Sequence, residues 1–255
     1  MILRRIGNKS KIAHRIQEYF PSHEIYLEPF FGAGGMFFNK PKAKYNIVND
    51  IDDDVVNLFQ IVLNRKDELI ELFTMMPVHE TLLRFWMVNT ETDPMKSALR
   101  FLFLSNFTLY GKQDTINYGQ RNAKLIGIEN ISKTFEFIKD VQFYCGDFRK
   151  FFVVVNNVDR DKTFVYADPP YLNTVHTYKM DDWTEQDYID LLDTMVNFGS
   201  RFAMSEFDNP FILEQAKTRG LYVNVIGNRR SLENRNTEIL ITNYRQTKTF
   251  GFTQL

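Results

Sequence analysis

One cysteine in 255 residues excludes a disulfide framework, because Cys145 has no partner in the chain. Only four histidines accompany it, at scattered positions, so no zinc-ligand spacing is present and no metal is expected. No apolar run reaches the roughly 18 residues that a membrane span requires. The first residues carry Arg4, Arg5 and Lys9 with no apolar stretch behind them. A secretory signal is therefore not visible, and the cytoplasm is the expected location. An excess of one charge is missing too, since the formal net charge is −1. That total would argue against a polyanion ligand only if charge were evenly spread. It is not: residues 1–16 hold five Lys/Arg and no acid, and residues 225–248 hold five against two acids. Residues 181–200 hold six acids and no Lys/Arg, and four of the five positions from Asp50 to Asp54 are acidic.

With hydrophobic content at 44% and charged content at 25%, the chain reads as an ordinary globular protein with ample material for a core. Ile25-Tyr26-Leu27 is a short apolar run that ends in Glu28-Pro29 and a cluster of Gly32, Gly34 and Gly35. It reads as strand, turn and helix start. Tyr45 to Val48 is a second strand ending at Asn49-Asp50, and residues 52–63 open with acids suited to a helix N-terminus. Residues 66–105 look mostly helical, whereas 106–124 is polar, aromatic and glycine-punctuated, like a loop or hairpin. Further strands are expected at Val141–Tyr144, Thr163–Ala167, Arg201–Ser205, Leu221–Ile226 and Glu238–Asn243, with helices at 185–198 and 210–219. This alternation predicts an α/β fold with helices on both faces of a doubly wound sheet. Asp168 follows Asp50 by 118 residues, far more than the roughly 30 that a βαβ unit needs. Something of domain-like size is therefore inserted between residues 57 and 140.

Two constellations carry chemistry. In Glu28-Pro29-Phe30-Phe31-Gly32-Ala33-Gly34-Gly35, a glycine turn at a strand end lets a nucleoside approach the backbone. Asp50, at the end of the next strand, can bind ribose hydroxyls. The glycine pattern is not GxGxxG, which counts against a nicotinamide dinucleotide. In Asp168-Pro169-Pro170-Tyr171, consecutive prolines fix φ and hold the chain extended past the strand. A carboxylate then lies beside a backbone carbonyl, with a ring next to them. An exocyclic amine has two hydrogens to donate and a base has a face to stack, so the tetrapeptide suits a flipped adenine or cytosine.

On these motifs the sequence resembles the Dam-type DNA adenine-N6 methyltransferases, α group, over nearly its whole length. The resemblance implies a Rossmann-like S-adenosylmethionine-dependent methyltransferase sheet. Residues 1–56 and 141–255 would form its catalytic and cofactor-binding domain, and 57–140 a mainly helical inserted target-recognition domain. It implies that Gly7 and Lys9 contact the cofactor, Lys9 at its methionine end. The loop of Glu28, Pro29, Phe30, Gly32 and Gly34 would hold it, with Asp50 and Ile51 at the ribose. Asp147 and Phe148 would flank its adenine, with Asp168 nearby. Asp168, Pro169, Pro170 and Tyr171 would form the catalytic motif, the first two receiving N6 and the ring of Tyr171 stacking on the base. DNA is expected at Asn106, Tyr110, Lys112, Asn117, Arg121 and Lys124, and at Arg229, Arg230 and Arg235. GATC is the expected target by family frequency. Two departures stand out: Arg5 replaces an aromatic residue of the cofactor motif, and Gly111 falls where many GATC enzymes carry an arginine. The expected protein is a monomer acting on double-stranded DNA, away from membranes, with a restriction endonuclease of the same system as a candidate partner. The nearest rival, cytosine-N4 methylation, more often uses Ser-Pro-Pro-Tyr. RNA or glutamine methylation usually lacks the insertion. A non-catalytic DNA-binding module would not need Asp50, Asp168 and Tyr171.

Overall fold

A computed structural model describes residues 2–3, 9–108, 115–116, 123–172, 183–230 and 235–246. Seven strands form one sheet in the order β3-β2-β1-β4-β5-β7-β6. These are β1 (Ile25–Glu28), β2 (Tyr45–Asp50), β3 (Val141–Cys145), β4 (Thr163–Ala167), β5 (Arg201–Phe207), β6 (Tyr222–Arg230) and β7 (Arg235–Thr242). The first five run parallel, and β7 lies antiparallel between β5 and β6. The chain winds outward from β1 to β3 and then returns to place β4 against the other side of β1. That reversal opens a crevice at the carboxyl ends of β1 and β4, where open α/β sheets bind ligands. The doubly wound α/β architecture expected from the sequence is the one found.

Strand β4 is buried at all five positions, as a central strand covered on both faces must be. Its side chains alternate: Phe164 and Tyr166 enter one core, Val165 and Ala167 the other. The second core is closed by α6 (Phe148–Val154), α7 (Glu185–Phe198) and α8 (Pro210–Thr218). Helix α7 matches the expected 185–198, starting at a reciprocal capping box between Thr184 and Asp187.

The first core is covered by α1 (Ala13–Gln17), the glycine loop and four helices between β2 and β3. These are α2 (Asp53–Met75), α3 (Glu80–Val88), α4 (Pro94–Phe107) and α5 (Ala123–Ile138). Asp52 caps α2 by accepting from Asp54 N–H, and Asp53 and Asp54 complement its dipole. The expected domain boundary at residue 57 falls inside α2, which kinks at Arg65 (φ −141°, ψ 37°). Before the kink, Phe59 packs on Phe31 and Phe143 near the sheet; beyond it, Phe73 stacks on Phe107 of α4. One continuous cluster thus joins Tyr26 and Phe164 of the sheet to Trp86 and Phe103 of the insertion. Thr108 and Ile116 form an antiparallel bridge within the 106–124 segment expected as a loop or hairpin.

Strands β6 and β7 outrun the sequence expectation. β5 last pairs β7 at Phe207 and Glu238, but β6 continues to pair β7 through Arg229–Asn236 and Arg230–Arg235. A two-stranded ribbon therefore projects beyond the same end of the sheet at which β4 stops.

Candidate active site

Three loops at the carboxyl ends of β1, β2 and β3 are stitched by one amide. Asn49 Nδ2 donates to the carbonyls of Pro29 (3.0 Å) and Gly146 (2.9 Å), while its own carbonyl accepts from Phe31 N–H (2.8 Å). Asp50 accepts from the amides of Gly32 and Asp52, and its carbonyl accepts from Gly146 N–H at 2.9 Å. Gly34 holds φ at +71°, and a Cβ there would lie 2.5 Å from the Phe38 ring. Only glycine allows both the conformation and that approach. Ile51 is exposed beside Asp50.

Phe30, Phe148 and Trp183, one from each loop after β1, β3 and β4, converge. Their ring centroids lie 5.6 Å (Phe30–Phe148), 5.6 Å (Phe30–Trp183) and 5.9 Å (Phe148–Trp183) apart. Trp183 Nε1 is buried and has no hydrogen-bond partner among the described residues. An unspent donor beside two phenyl rings, with a diol acceptor at Asp50, is the donor set that a purine nucleoside needs. The residues present fit S-adenosylmethionine.

Asp168 follows β4 and keeps 22% of its side chain exposed. Its Oδ1 lies 2.7 Å from Lys9 Nζ, which is buried and also stands 3.6 Å from Glu238. Lys9 sits in a short 3-10 turn, Lys9–Lys11, and the resemblance assigned it to the cofactor. Its ammonium reaches the Asp168–Tyr171 segment, and it lies 4.4 Å from the centroid of the Tyr171 ring. Tyr171 is buried edge-on against Phe207, with centroids 4.5 Å apart, and donates its hydroxyl to Glu238 Oε1 at 2.5 Å. Burial, and then the charge of Asp168, push the Tyr171 phenol well above its ordinary range. Tyr166 and Ser205 share a hydrogen bond of 2.8 Å beneath the motif.

Three buried carboxyls surround this cluster. Burial raises Glu28 well above the ordinary range, although Tyr26 O–H donates to it at 2.8 Å and Lys40 lies close enough to oppose the shift. Burial likewise pushes Glu206 up to about 8, against a hydrogen bond from Phe207 N–H. Glu238 is the third, 2% exposed. The sequence reading placed Glu28 but missed Glu206 and Glu238 as site members, and gave Asn49 no role of its own. The available signal was an acid at an otherwise apolar strand position, in Phe202-Ala203-Met204-Ser205-Glu206 and Glu238-Ile239-Leu240-Ile241.

The residues assigned to DNA divide. Asn106 Nδ2 donates to the carbonyls of Ile2 (2.9 Å) and Leu102 (3.1 Å), so it ties α4 to the start of the chain. Lys124 Nζ donates to Thr74 O at 2.8 Å and joins α5 to α2. The backbone positions of Arg229, Arg230 and Arg235 lie at the tip of the β6–β7 ribbon. Gly7, Tyr110, Lys112, Asn117 and Arg121 lie outside the described residues, as do Arg5 and Gly111.

Comparison with known proteins supplies the family. Residues 6–237 match the D12 class N6 adenine-specific DNA methyltransferases. The type II methyltransferase M.MjaIII of Methanocaldococcus jannaschii is 28% identical over 220 residues, covering 74% of each chain. The type II methyltransferase M1.LlaDCHI of Lactococcus lactis subsp. cremoris is 25% identical over 270 residues, 93% of each. The DNA adenine methylase of Escherichia coli K12 is 28% identical over 185 residues, 66% of this chain and 64% of its own. The chain belongs to the D12 class, and is an adenine-specific DNA methyltransferase with S-adenosylmethionine as its cofactor.

Proposed function

We propose that the enzyme swings its target adenine out of double-stranded DNA and receives N6 between the Asp168 carboxylate and the Pro169 carbonyl. The observation that carries this reading is the partly exposed Asp168 at the switch point, its Oδ1 held by Lys9 at 2.7 Å. Oδ2 and the Pro169 carbonyl then accept the two N6 hydrogens, which draws N6 toward sp³ and makes its lone pair nucleophilic. S-adenosylmethionine supplies an electrophilic sulfonium methyl. Asp168 need not be a strong base, since N6 turns acidic only once it has been alkylated. Lys9 orients the carboxylate, and Glu238 fixes the Tyr171 ring through its hydroxyl. A base that stacks on Tyr171 takes the ring face over which Lys9 now lies. Asp50 binds the cofactor ribose, and Phe30, Phe148 and Trp183 its adenine. Extrusion costs a few kcal/mol, and positioning supplies much of the rate.

DNA lies along the carboxyl end of the sheet, between the insertion and the β6–β7 ribbon. The target-reading part of the insertion starts beyond the Arg65 kink and includes the 106–124 segment. Lys124 and Asn106 act there as struts that hold helices in place. Arg229, Arg230 and Arg235 contact phosphates. GATC is the proposed target, read without a guanidinium at position 111. The enzyme acts as a monomer in the cytoplasm, and a restriction endonuclease of the same system is its candidate partner. Among the described residues no helix is long and apolar enough to cross a membrane.

The test is Asp168→Ala. Methyl transfer to plasmid DNA should be abolished while S-adenosylhomocysteine still binds; retained turnover overturns the role. Mapping N6-methyladenine in DNA from an expressing host decides the target, and methylation outside GATC overturns that part. A 2-aminopurine at the mapped position should brighten on binding if the base is extruded.

A further inference from the structure

The loop after β3 and the start of α7 are joined by one guanidinium. Asp147 caps α6, accepting from Arg149 N–H at 2.7 Å, and its other oxygen accepts from Arg149 Nη1 at 3.0 Å. Arg149 then crosses to α7. Nε and Nη2 both donate to Asp190 Oδ2 (3.0 and 2.6 Å), and Nη2 also donates to Asp187 Oδ1 at 2.7 Å. Asp187 is a shared hub: its Oδ2 accepts from Thr184 N–H (3.1 Å) and Oγ1 (2.6 Å), closing the capping box that starts the helix. Trp183 is the residue immediately before that cap. On the other side, the Arg149 guanidinium lies 4.4 Å from the centroid of Phe148. One cation therefore touches the ring on which Trp183 rests and the helix turn from which Trp183 hangs.

The electrostatics give the contact a direction. Three carboxylates converge on one guanidinium, so without it Asp147, Asp187 and Asp190 repel one another across the gap between α6 and α7. Their side chains and that of Arg149 are 29–38% exposed, so each pair alone contributes little in water. The planar fork shared among three acceptors is what gives geometric control, and an ammonium cannot reproduce it.

We propose that Arg149 is a positioning residue that clamps the loop after β3 to the first turn of α7, holding Trp183 against Phe30 and Phe148 and so setting cofactor affinity. The proposal rests on the reading of those three rings as the cofactor's adenine site. It assigns the clamp to residues on either side of the pocket, outside the catalytic motif. The segment that continues from Asp168-Pro169-Pro170-Tyr171 ends at Trp183, so the same contact fixes the far end of that segment.

The chain has two tryptophans. In a Trp86→Phe background Trp183 is the sole reporter. Arg149→Met and Arg149→Lys are compared with unchanged Arg149 for acrylamide quenching of Trp183 in the cofactor-free protein. Affinity for S-adenosylhomocysteine is measured by calorimetry, and kcat at saturating cofactor and DNA is measured alongside. Both variants should increase quenching and weaken S-adenosylhomocysteine about tenfold, with kcat and the KM for DNA changed less than about threefold. Asp93→Ala removes the side-chain cap of α4 and serves as the stability control. It should lower the melting temperature without moving cofactor affinity. Trp183→Ala, with Arg149 intact, tests the rings themselves. If Trp183→Ala weakens binding while both Arg149 variants leave quenching and affinity unchanged, the clamp is overturned and the ring site stands. If neither Trp183→Ala nor Arg149→Met affects binding, the ring site fails and the clamp falls with it.

Discussion

Lys9 is held by Asp168 at 2.7 Å and lies 3.6 Å from Glu238, while Glu238 also anchors the Tyr171 hydroxyl. The carboxylate of β7 thus balances a cation that would otherwise serve Asp168 alone. Glu238→Gln keeps the shape and an acceptor for Tyr171 but removes the charge. It should lower the single-turnover methylation rate about fivefold, with cofactor affinity nearly unchanged, since a charge-assisted bond exceeds a neutral one by about 1 kcal/mol. An unchanged rate would make Glu238 a packing residue only. Glu206 behaves differently. Burial raises its carboxyl to about 8 from an ordinary value of 4.5, so between those limits the folded state binds more protons than the unfolded one. Stability contributed by the protonated form is present below the unfolded value and is lost as pH rises toward 8. Glu206→Gln should flatten that decline, leaving the variant with the higher denaturation midpoint at pH 8.5 and little advantage at pH 5. A parallel pH dependence in both proteins would refute the assignment. Asp50 and Asp168 were legible in the sequence because Asp50 ends the apolar strand that follows the glycine loop and Asp168 follows an apolar strand directly before two prolines. Glu206 and Glu238 were not, because what makes them a site is a pairing between β5 and β7 across 32 residues of chain.

The glycine loop separates two costs that usually travel together. Gly32 has φ +53° and open space where a Cβ would project; Gly34 has φ +71° and the Phe38 and Phe31 rings at 2.5 and 2.9 Å. Gly32→Ala should cost about 1 kcal/mol, the left-handed strain alone. Gly34→Ala adds overpacking against rings that also contact Phe37 and Phe59, raising the cost to roughly 2–4 kcal/mol. Thermal melts should rank the variants in that order, and equal midpoints would show that the loop relaxes freely. Such loops are readable because glycine spacing is a local signal, and α7 was readable to the residue because Thr184, Asp187 and Gly199 mark its ends. Two elements ran past their signals. The kink at Arg65 lets α2 continue to Met75 although its first apolar stripe ends near Leu63. Strand β6 continues beyond Ile226 into Asn228-Arg229-Arg230, which carry no strand pattern and are held by backbone pairing to β7.

At the scale of the molecule, the insertion and the sheet share one core, from Tyr26 and Phe59 out to Trp86 and Phe107. A sequence gap of 118 residues revealed the insertion but could not reveal that its core is not separate. Calorimetry should therefore show one cooperative transition, where an independent domain would give two. The same architecture fixes how a chain of net charge −1 can hold DNA. The β6–β7 ribbon projects past the end of β4, so the backbones of Arg229, Arg230 and Arg235 stand at the edge where Asp168 opens. Contacts to phosphate release counterions and steepen the fall of affinity with salt by about 0.9 per phosphate. Replacing the three arginines with alanine should weaken target and non-target duplexes alike and reduce the slope of log K against log salt by roughly 2–3. S-adenosylhomocysteine affinity should stay put if the ribbon serves DNA alone. A slope that does not move would place the DNA elsewhere, and a loss confined to the target duplex would make the ribbon a reader of bases.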